Sequence, residues 1–247
     1  MATGSADKTV QVWDATTGKT LLTYRGHKDK VNAIAWSPDS KLIASGSDDH
    51  TVQAWDVTTS KLLWTHLEQD SSMDDYANPV SAVAWSPDGQ YVVSGSADGA
   101  ISQVCFAATG KFNSQGTGPS GASLAWSPDS KRIVAACGLL STQVWDILGN
   151  NMANEYDSST SLDDENDSVK TVAWSPDGHY IAAGATDKTV QVWDATTYDD
   201  TTNAYHDTTT LTYQQHTASV NTIAWSPNGK YIASGSDDKT VQVWGAP

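Results

Sequence analysis

His27, Ser45 and Asp49 are the residue types of a nucleophilic relay, in which a carboxylate orients an imidazole and the imidazole takes a proton from a hydroxyl. His216, Ser234 and Asp238 offer the same three types again near the other end of the chain. Catalysis needs one such site. A set that recurs within a repeat reads as a structural device, and no residue is assigned a catalytic role. "GTGPSG" at 116–121 has the glycine spacing of a phosphate-cradling turn, but that turn opens a helix and "ASLAWSPD" follows it as a strand. It reads as a flexible connection. Asp163, Glu165 and Asp167 alternate as oxygen ligands of a hard cation sometimes do, yet Ser168 stands where a calcium loop needs glycine. The six histidines show no zinc spacing, and no Gly-x-Ser-x-Gly elbow is present. Neither a metal nor a cofactor is expected.

The bulk numbers narrow the classes further. The 247 residues suit one large all-β domain or two small ones, with ample core. The 29 acidic and 14 basic side chains leave a net charge of −15, which repels nucleic acid and anionic membranes and favours cationic partners or plain solubility. Cys105 and Cys137 are too few for a secreted disulfide framework and read as small reduced core residues within strands. No apolar run is long enough to cross a bilayer as a helix, and "MATGSADK" lacks the apolar stretch of a signal peptide. The expected compartment is the cytoplasm, so the sequon at Asn166 reads as accidental.

The elements that must position these residues are short and repeated. "AWSP" recurs at 35–38, 84–87, 125–128, 173–176 and 224–227, with Trp-to-Trp steps of 49, 41, 48 and 51 residues. A "QVW" phrase recurs six times, from Gln11-Val12-Trp13 to Gln242-Val243-Trp244, once as Gln53-Ala54-Trp55 and once with Cys105 in place of Trp. Each unit of this size is one supersecondary motif. "VNAIAW" is a β-branched strand, "SPDS" a proline-led turn, "KLIASGS" a second strand, "DDHT" another turn and "TVQAWD" a third strand. "ATTGKTLLTY" adds a turn and a fourth strand. No segment keeps a helical apolar period, so little helix is expected. The first two strands end in small residues and the third carries Trp. That gradient suits a wedge, and radial stacking of such four-stranded sheets leaves few open edges.

Trp-Asp at 13–14, 55–56, 145–146 and 193–194, with Gly26-His27 upstream of a repeat, resembles the WD-repeat β-propeller family. The likeness covers essentially the whole chain, and the "AWSPDG" turn is similar to that of bacterial members. The resemblance implies an all-β propeller of four-stranded antiparallel blades in one domain, 1–247. It has five full repeats, at about 19–56, 61–105, 111–145, 152–194 and 208–244, and a partial one at 2–14. Five blades would leave 2–14 surplus. Six, the preferred count, would leave the first and last blades one strand short each. An abrupt start also fits a piece of a longer array. The family's blades often join a His, a Ser or Thr, an Asp and the Trp by hydrogen bonds. His27, Ser45, Asp49 and Trp55 match that quartet, as do His216, Ser234, Asp238 and Trp244. The other blades depart: one has Cys105 and no matching His, the next has Ala135 and Leu139, and the next keeps Asp187 and Trp193 but has Ala183.

The repeats are expected to be regular except where the outer strand leads to the next innermost one, with inserts at 67–79, 154–168 and 198–209. In the family such connections emerge on a face often used for binding. The inserts carry Asp74, Asp75 and Tyr76, then Tyr156, Asp163, Asp164 and Glu165, then Tyr198, Asp199, Asp200 and Tyr205. Tyrosine amid carboxylates suits a basic peptide, through Coulomb attraction and cation–π contact. The expected function is therefore a non-catalytic scaffold that binds protein or peptide partners, with self-association through the incomplete terminal blades as a further route. The alternatives weighed are an enzyme with a central-channel site and a regulatory sensor domain cut from a larger signalling protein. Fold alone does not choose among them.

Overall fold

The structure, a computed structural model, describes residues 1–67, 79–96, 102–118, 123–137, 141–147, 151–157, 167–196 and 209–247. The chain divides into two compact units, Met1–Gly121 and Ala122–Pro247. The described residues form strands, turns and bends and no helix.

The first unit holds three antiparallel sheets. The first runs β1 (Ala2–Gly4), β2 (Val10–Trp13), β3 (Thr20–Tyr24). The second runs β4 (Val31–Trp36), β5 (Leu42–Ser47), β6 (Thr51–Asp56), β7 (Leu62–Leu67). The third runs β8 (Ala82–Trp85), β9 (Tyr91–Gly95), β10 (Ser102–Phe106), β11 (Phe112–Gly118). The second unit repeats the plan. Its sheets are β12 (Leu124–Trp126), β13 (Arg132–Ala136), β14 (Ser141–Asp146), β15 (Asn151–Asp157); then β16 (Val169–Trp174), β17 (Tyr180–Ala185), β18 (Val190–Asp194), β19 (Thr209–Tyr213); then β20 (Val220–Trp225), β21 (Tyr231–Ser236), β22 (Val241–Gly245). Neighbours in sequence are neighbours in each sheet, so every sheet is a meander. The first sheet consists of a second, third and fourth strand, and the last of a first, second and third.

The turns explain the repeated phrases. In "SPDS" the Ser37 hydroxyl donates to Asp39 Oδ1 at 2.7 Å and accepts from the Leu42 N–H at 2.9 Å, closing the turn on its own side chains. The same pair of bonds recurs at Ser86, Ser127, Ser175 and Ser226, with Asn228 as acceptor in the last. Small residues then let successive sheets meet. A Cβ on Gly46 would lie 2.4 Å from Val80 Cγ1, so the backbone of β5 sits directly against the residue that leads into the next sheet. Ala44, Val52 and Ala54 pack there with Val80, Trp85 and Val92. Alternation sends one side of each strand forward to the next sheet and the other back to the previous one.

Three details correct the sequence reading. Residues 154–157 of the second insert belong to β15, and 116–118 of "GTGPSG" belong to β11 rather than to a connection. Pairing with the neighbouring strand decides both, although Asn154, Glu155, Asp157, Gly116 and Gly118 are of types depleted in strands. Cys105 is buried in β10, but Cys137 falls just after β13 and is only partly buried; both are reduced. The third difference concerns the inserts. Residues 68–79 and 158–168 do lie between a fourth strand and the next first strand. Residues 198–208 instead fall in the connection from the third strand β18 to the fourth strand β19. In an antiparallel meander these connections leave from opposite ends of the sheet.

Candidate functional site

The second and last sheets each build the same buried polar centre from the turn upward. A tight turn places Asp49 between β5 and β6. There it takes the Thr51 hydroxyl at 2.6 Å and the Lys28 N–H at 2.7 Å. The Thr51 N–H also donates to it at 3.1 Å, and His27 Nδ1 lies 2.9 Å away. His27 Nε2 meets Ser45 Oγ at 2.8 Å, and the Trp55 indole N–H donates to the same oxygen at 3.3 Å. In the last sheet Asp238–His216 is 2.8 Å, His216–Ser234 2.8 Å and Trp244–Ser234 3.3 Å. The 18- and 22-residue separations from the histidine are identical in the two copies.

Geometrically each set is an Asp–His–Ser relay. Its surroundings bar that chemistry. Ser45 and Ser234 are fully buried, so no substrate reaches the hydroxyl, and an indole N–H already occupies it. The relay therefore fastens the segment before each sheet's first strand to its second and third strands. Burial opposes ionisation of Asp49, but the bonds from Thr51, the Lys28 N–H and His27 outweigh it and hold the carboxyl below its ordinary range. Asp238 is lowered too, mainly by the Thr240 hydroxyl.

Two residues of each centre went unnoticed in the sequence. Tyr24, from the fourth strand of the preceding sheet, stacks on Trp55 with centroids 4.5 Å apart and planes 5° apart. Its hydroxyl donates to Gln53 Oε1 at 2.7 Å. Tyr213 stacks on Trp244 at 4.6 Å and donates to Gln242 Oε1 at 2.5 Å. A third strap uses His66, which pairs with Val52 as Tyr24 pairs with Val10, and meets Gln103 Oε1 at 2.7 Å. The strap thus ties one sheet's outer strand to the next sheet's third strand. The Tyr-x-x-His spacing at 24–27 and 213–216 was the available signal, with the Gln of every "QVW" phrase.

Burial first, and the Asp49 carboxylate second, push the Tyr24 phenol up to about 12. The unfolded chain holds that proton with a pKa of about 10. The contribution is fully present below about pH 10 and is lost as pH rises from about 10 to about 12. Urea midpoints measured across that window fall in the native chain. Tyr24→Phe starts lower, having lost the bond to Gln53, and falls less steeply.

The remaining sites are placed as follows. In the third sheet Cys105 takes the Trp position, and Ser94 donates to the Gln103 carbonyl at 3.5 Å. Ala135 and Ala183 are buried at the serine positions of the fourth and fifth sheets. The structure brings Tyr156 onto β15 opposite Thr142. Asp74, Asp75, Tyr76, Asp163, Asp164, Glu165, Tyr198, Asp199 and Asp200 lie outside the described residues, as do Leu139 and Tyr205. Asp167 accepts from Thr186 Oγ1 at 3.1 Å. Among the described residues no three His, Cys, Asp or Glu side chains gather as metal ligands, and no helix is long and apolar enough to cross a membrane.

A meander of repeated antiparallel sheets, each fastened by a His–Asp–Ser–Trp centre or its remnant, is a blade of the β-propeller fold class. The family described as WD domain, G-beta repeat, matches residues 1–14, 18–56, 69–104, 157–194 and 207–245, and the chain belongs to it. Mouse (Mus musculus) Coronin-7 is 46% identical over 44 residues, covering 18% of this chain and 5% of its own length. The human (Homo sapiens) peroxisomal targeting signal 2 receptor is 47% identical over 38 residues, covering 15% and 12%. The Lissencephaly-1 homolog of Dictyostelium discoideum is 44% identical over 43 residues, covering 17% and 10%. Each match thus spans about one repeat and a small part of the relative. A chain in a crystal structure of the mitotic checkpoint complex superposes with a TM-score of 0.79 over 99% of this chain and 72% of its own, at 20% identity, which shows the shared fold.

Proposed function

We propose that this chain is a non-catalytic interaction module that binds a basic protein or peptide through its acidic inserts. One observation carries the reading. The inserts at 67–79, 154–168 and 198–209 hold 13 of the 29 acidic residues and none of the 14 Lys and Arg, so nearly the whole net charge of −15 resides in them. The remaining surface is close to neutral. Loops on a rigid scaffold are where binding concentrates, and tyrosines among the carboxylates add faces for cations. Family membership supports the scaffold role, since WD-repeat proteins generally act by binding proteins.

The first two inserts share a position in their sheets, one in each unit, and the third leaves from the opposite end, so the reading assigns a basic partner to each of the first two by itself. A panel of fluorescent Arg- and Lys-rich peptides tests it by anisotropy at low and high salt. Binding that weakens at least tenfold as salt screens the charges is expected. Asp163→Asn with Asp164→Asn and Glu165→Gln reduces it, whereas Asp199→Asn with Asp200→Asn leaves it nearly unchanged. A panel without salt-sensitive binding overturns the proposal.

A further inference from the structure

The proline-led turn occurs five times. Its third place is Asp39, Asp88, Asp129 and Asp177 in four copies and Asn228 in the fifth. The geometry around that place is constant. The turn's Ser hydroxyl and the backbone N–H two residues further on both donate to its Oδ1. The N–H bonds from Lys41, Gln90, Lys131 and His179 run from 2.9 to 3.1 Å, and the Lys230 N–H reaches Asn228 Oδ1 at 3.1 Å. The hydroxyl bonds to the four carboxylates are 2.5–2.7 Å, as expected of a charged acceptor, and Ser226 meets the neutral Asn228 at 2.8 Å. The turn suits an anion. The Ser37 hydroxyl first, and the Lys41 N–H second, hold the Asp39 carboxyl below its ordinary range. The Ser175 hydroxyl and the His179 N–H do the same for Asp177.

Asn228 is also the one asparagine of the chain that glycine follows. Gly229 has a φ of 71°, and a Cβ on it would meet nothing within 4 Å. With no side chain in the way, its backbone nitrogen can approach the Asn228 side chain. Asn228 is exposed, and so are the four aspartates at the same place in other sheets. Access of water is therefore a property of the turn itself.

We infer that Asn228 is a self-modifying site, which closes on the Gly229 nitrogen to a succinimide and reopens as aspartate, giving the fifth turn the carboxylate of the other four. The Gly229 nitrogen yields its proton to water and attacks Asn228 Cγ. The Cγ–Nδ2 bond breaks and ammonia leaves. Water then adds to the ring. Addition at Cγ breaks the bond to the Gly229 nitrogen, returns a proton to that nitrogen and gives aspartate. Addition at the backbone carbonyl of Asn228 gives isoaspartate, which lengthens the main chain by one atom and takes the carboxylate away from both donors. When the ring closes or reopens at Cγ, negative charge develops on Oδ1, the atom that the Ser226 hydroxyl and the Lys230 N–H already address. The same two donors thus favour both steps. One contact opposes them. The Gly229 N–H donates to the Ser226 carbonyl at 2.9 Å and must release it before the attack, so opening of the turn sets the pace. The inference is independent of the acidic inserts and of the partner assigned to them.

Incubation of the 247-residue chain for weeks at mildly alkaline pH, followed by peptide mass mapping, tests the inference. The peptide that holds Asn228 is expected to gain the mass difference between an acid and an amide. Aspartate exceeds isoaspartate in the folded chain, and isoaspartate exceeds aspartate in the same chain held in urea, where the two donors are gone. Ser226→Ala lowers the folded-state ratio of aspartate to isoaspartate by roughly two- to tenfold, the worth of one hydrogen bond. Ser226→Thr, which keeps a hydroxyl, preserves the ratio, and circular dichroism verifies that both variants are folded. Asn228→Asp gains no mass and coelutes with the modified native chain on anion exchange. An Asn228 that stays intact in the folded chain while it converts in urea overturns the inference. So does a ratio that neither folding nor Ser226→Ala changes.

Discussion

Trp55→Ala is expected to destabilise the unit Met1–Gly121 by about 3–5 kcal/mol, the range for deleting a fully buried large aromatic. Three losses combine at this position. The indole is 0% exposed and packs with Val10, Val31 and Ile43. Its N–H caps Ser45, and its ring is the surface on which Tyr24 of the preceding sheet lies. Removal opens a cavity between two sheets, and the dense packing around it closes only in part. Urea unfolding followed by circular dichroism measures the loss. The equivalent Trp244 is only half-buried, because β22 is the outermost described strand of its sheet. Trp244→Ala therefore costs less, about 2 kcal/mol. Equal losses at the two positions would contradict the account.

His27→Ala is the second large effect, about 2–4 kcal/mol. The imidazole bridges Ser45 and Asp49, and both sit inside the protein. Its loss leaves the Asp49 carboxylate with the hydroxyl and N–H of Thr51 and the Lys28 N–H, and removes the link to the serine. The charge is then undercompensated in a dry site, which costs more than the bond itself was worth. Ser45 Oγ is a shared partner of His27 and Trp55, so the two substitutions are not independent. A double-mutant cycle with Trp55→Phe, which removes the indole N–H and keeps an aromatic ring, should show a coupling of about 0.5–3 kcal/mol. Additive losses would mean that the centre is a set of separate contacts.

The sheets without a complete centre rest on apolar packing. Ala183 and Ala135 offer no hydroxyl to the indole of Trp193 or Trp145, and Cys105 fills the Trp position of the third sheet. The substitution patterns go together. Where Cys105 replaces Trp, His66 replaces the Tyr that would have stacked on it, yet the bond to Gln103 remains. Stacking needs a ring on both sides of the gap, whereas the hydrogen bond needs only a donor at the right height on the outer strand.

The sequence by itself determined the blade and the quartet. Repeated phrases such as "AWSP" and "QVW" recur because every blade needs the same closed turn, the same small residues at its narrow strands and the same polar fastener. Each of those requirements is local and falls within one repeat. The number of sheets, the straps and the placement of the third insert were decided only in three dimensions. Residues 2–14 count as a sheet because β3 pairs with β2 and both pack on Val31 and Ile43, contacts made across a repeat boundary. Tyr24 acts on Trp55, a residue of the next sheet, so its role is invisible within the repeat that contains it. The third insert changed ends because strand pairing, with Val192 opposite Leu211, fixed β19 as the partner of β18 and left residues 195–208 between them. Local turn and strand chemistry is written along the chain. Which strand pairs with which depends on partners distant in sequence, and only the folded chain supplies them.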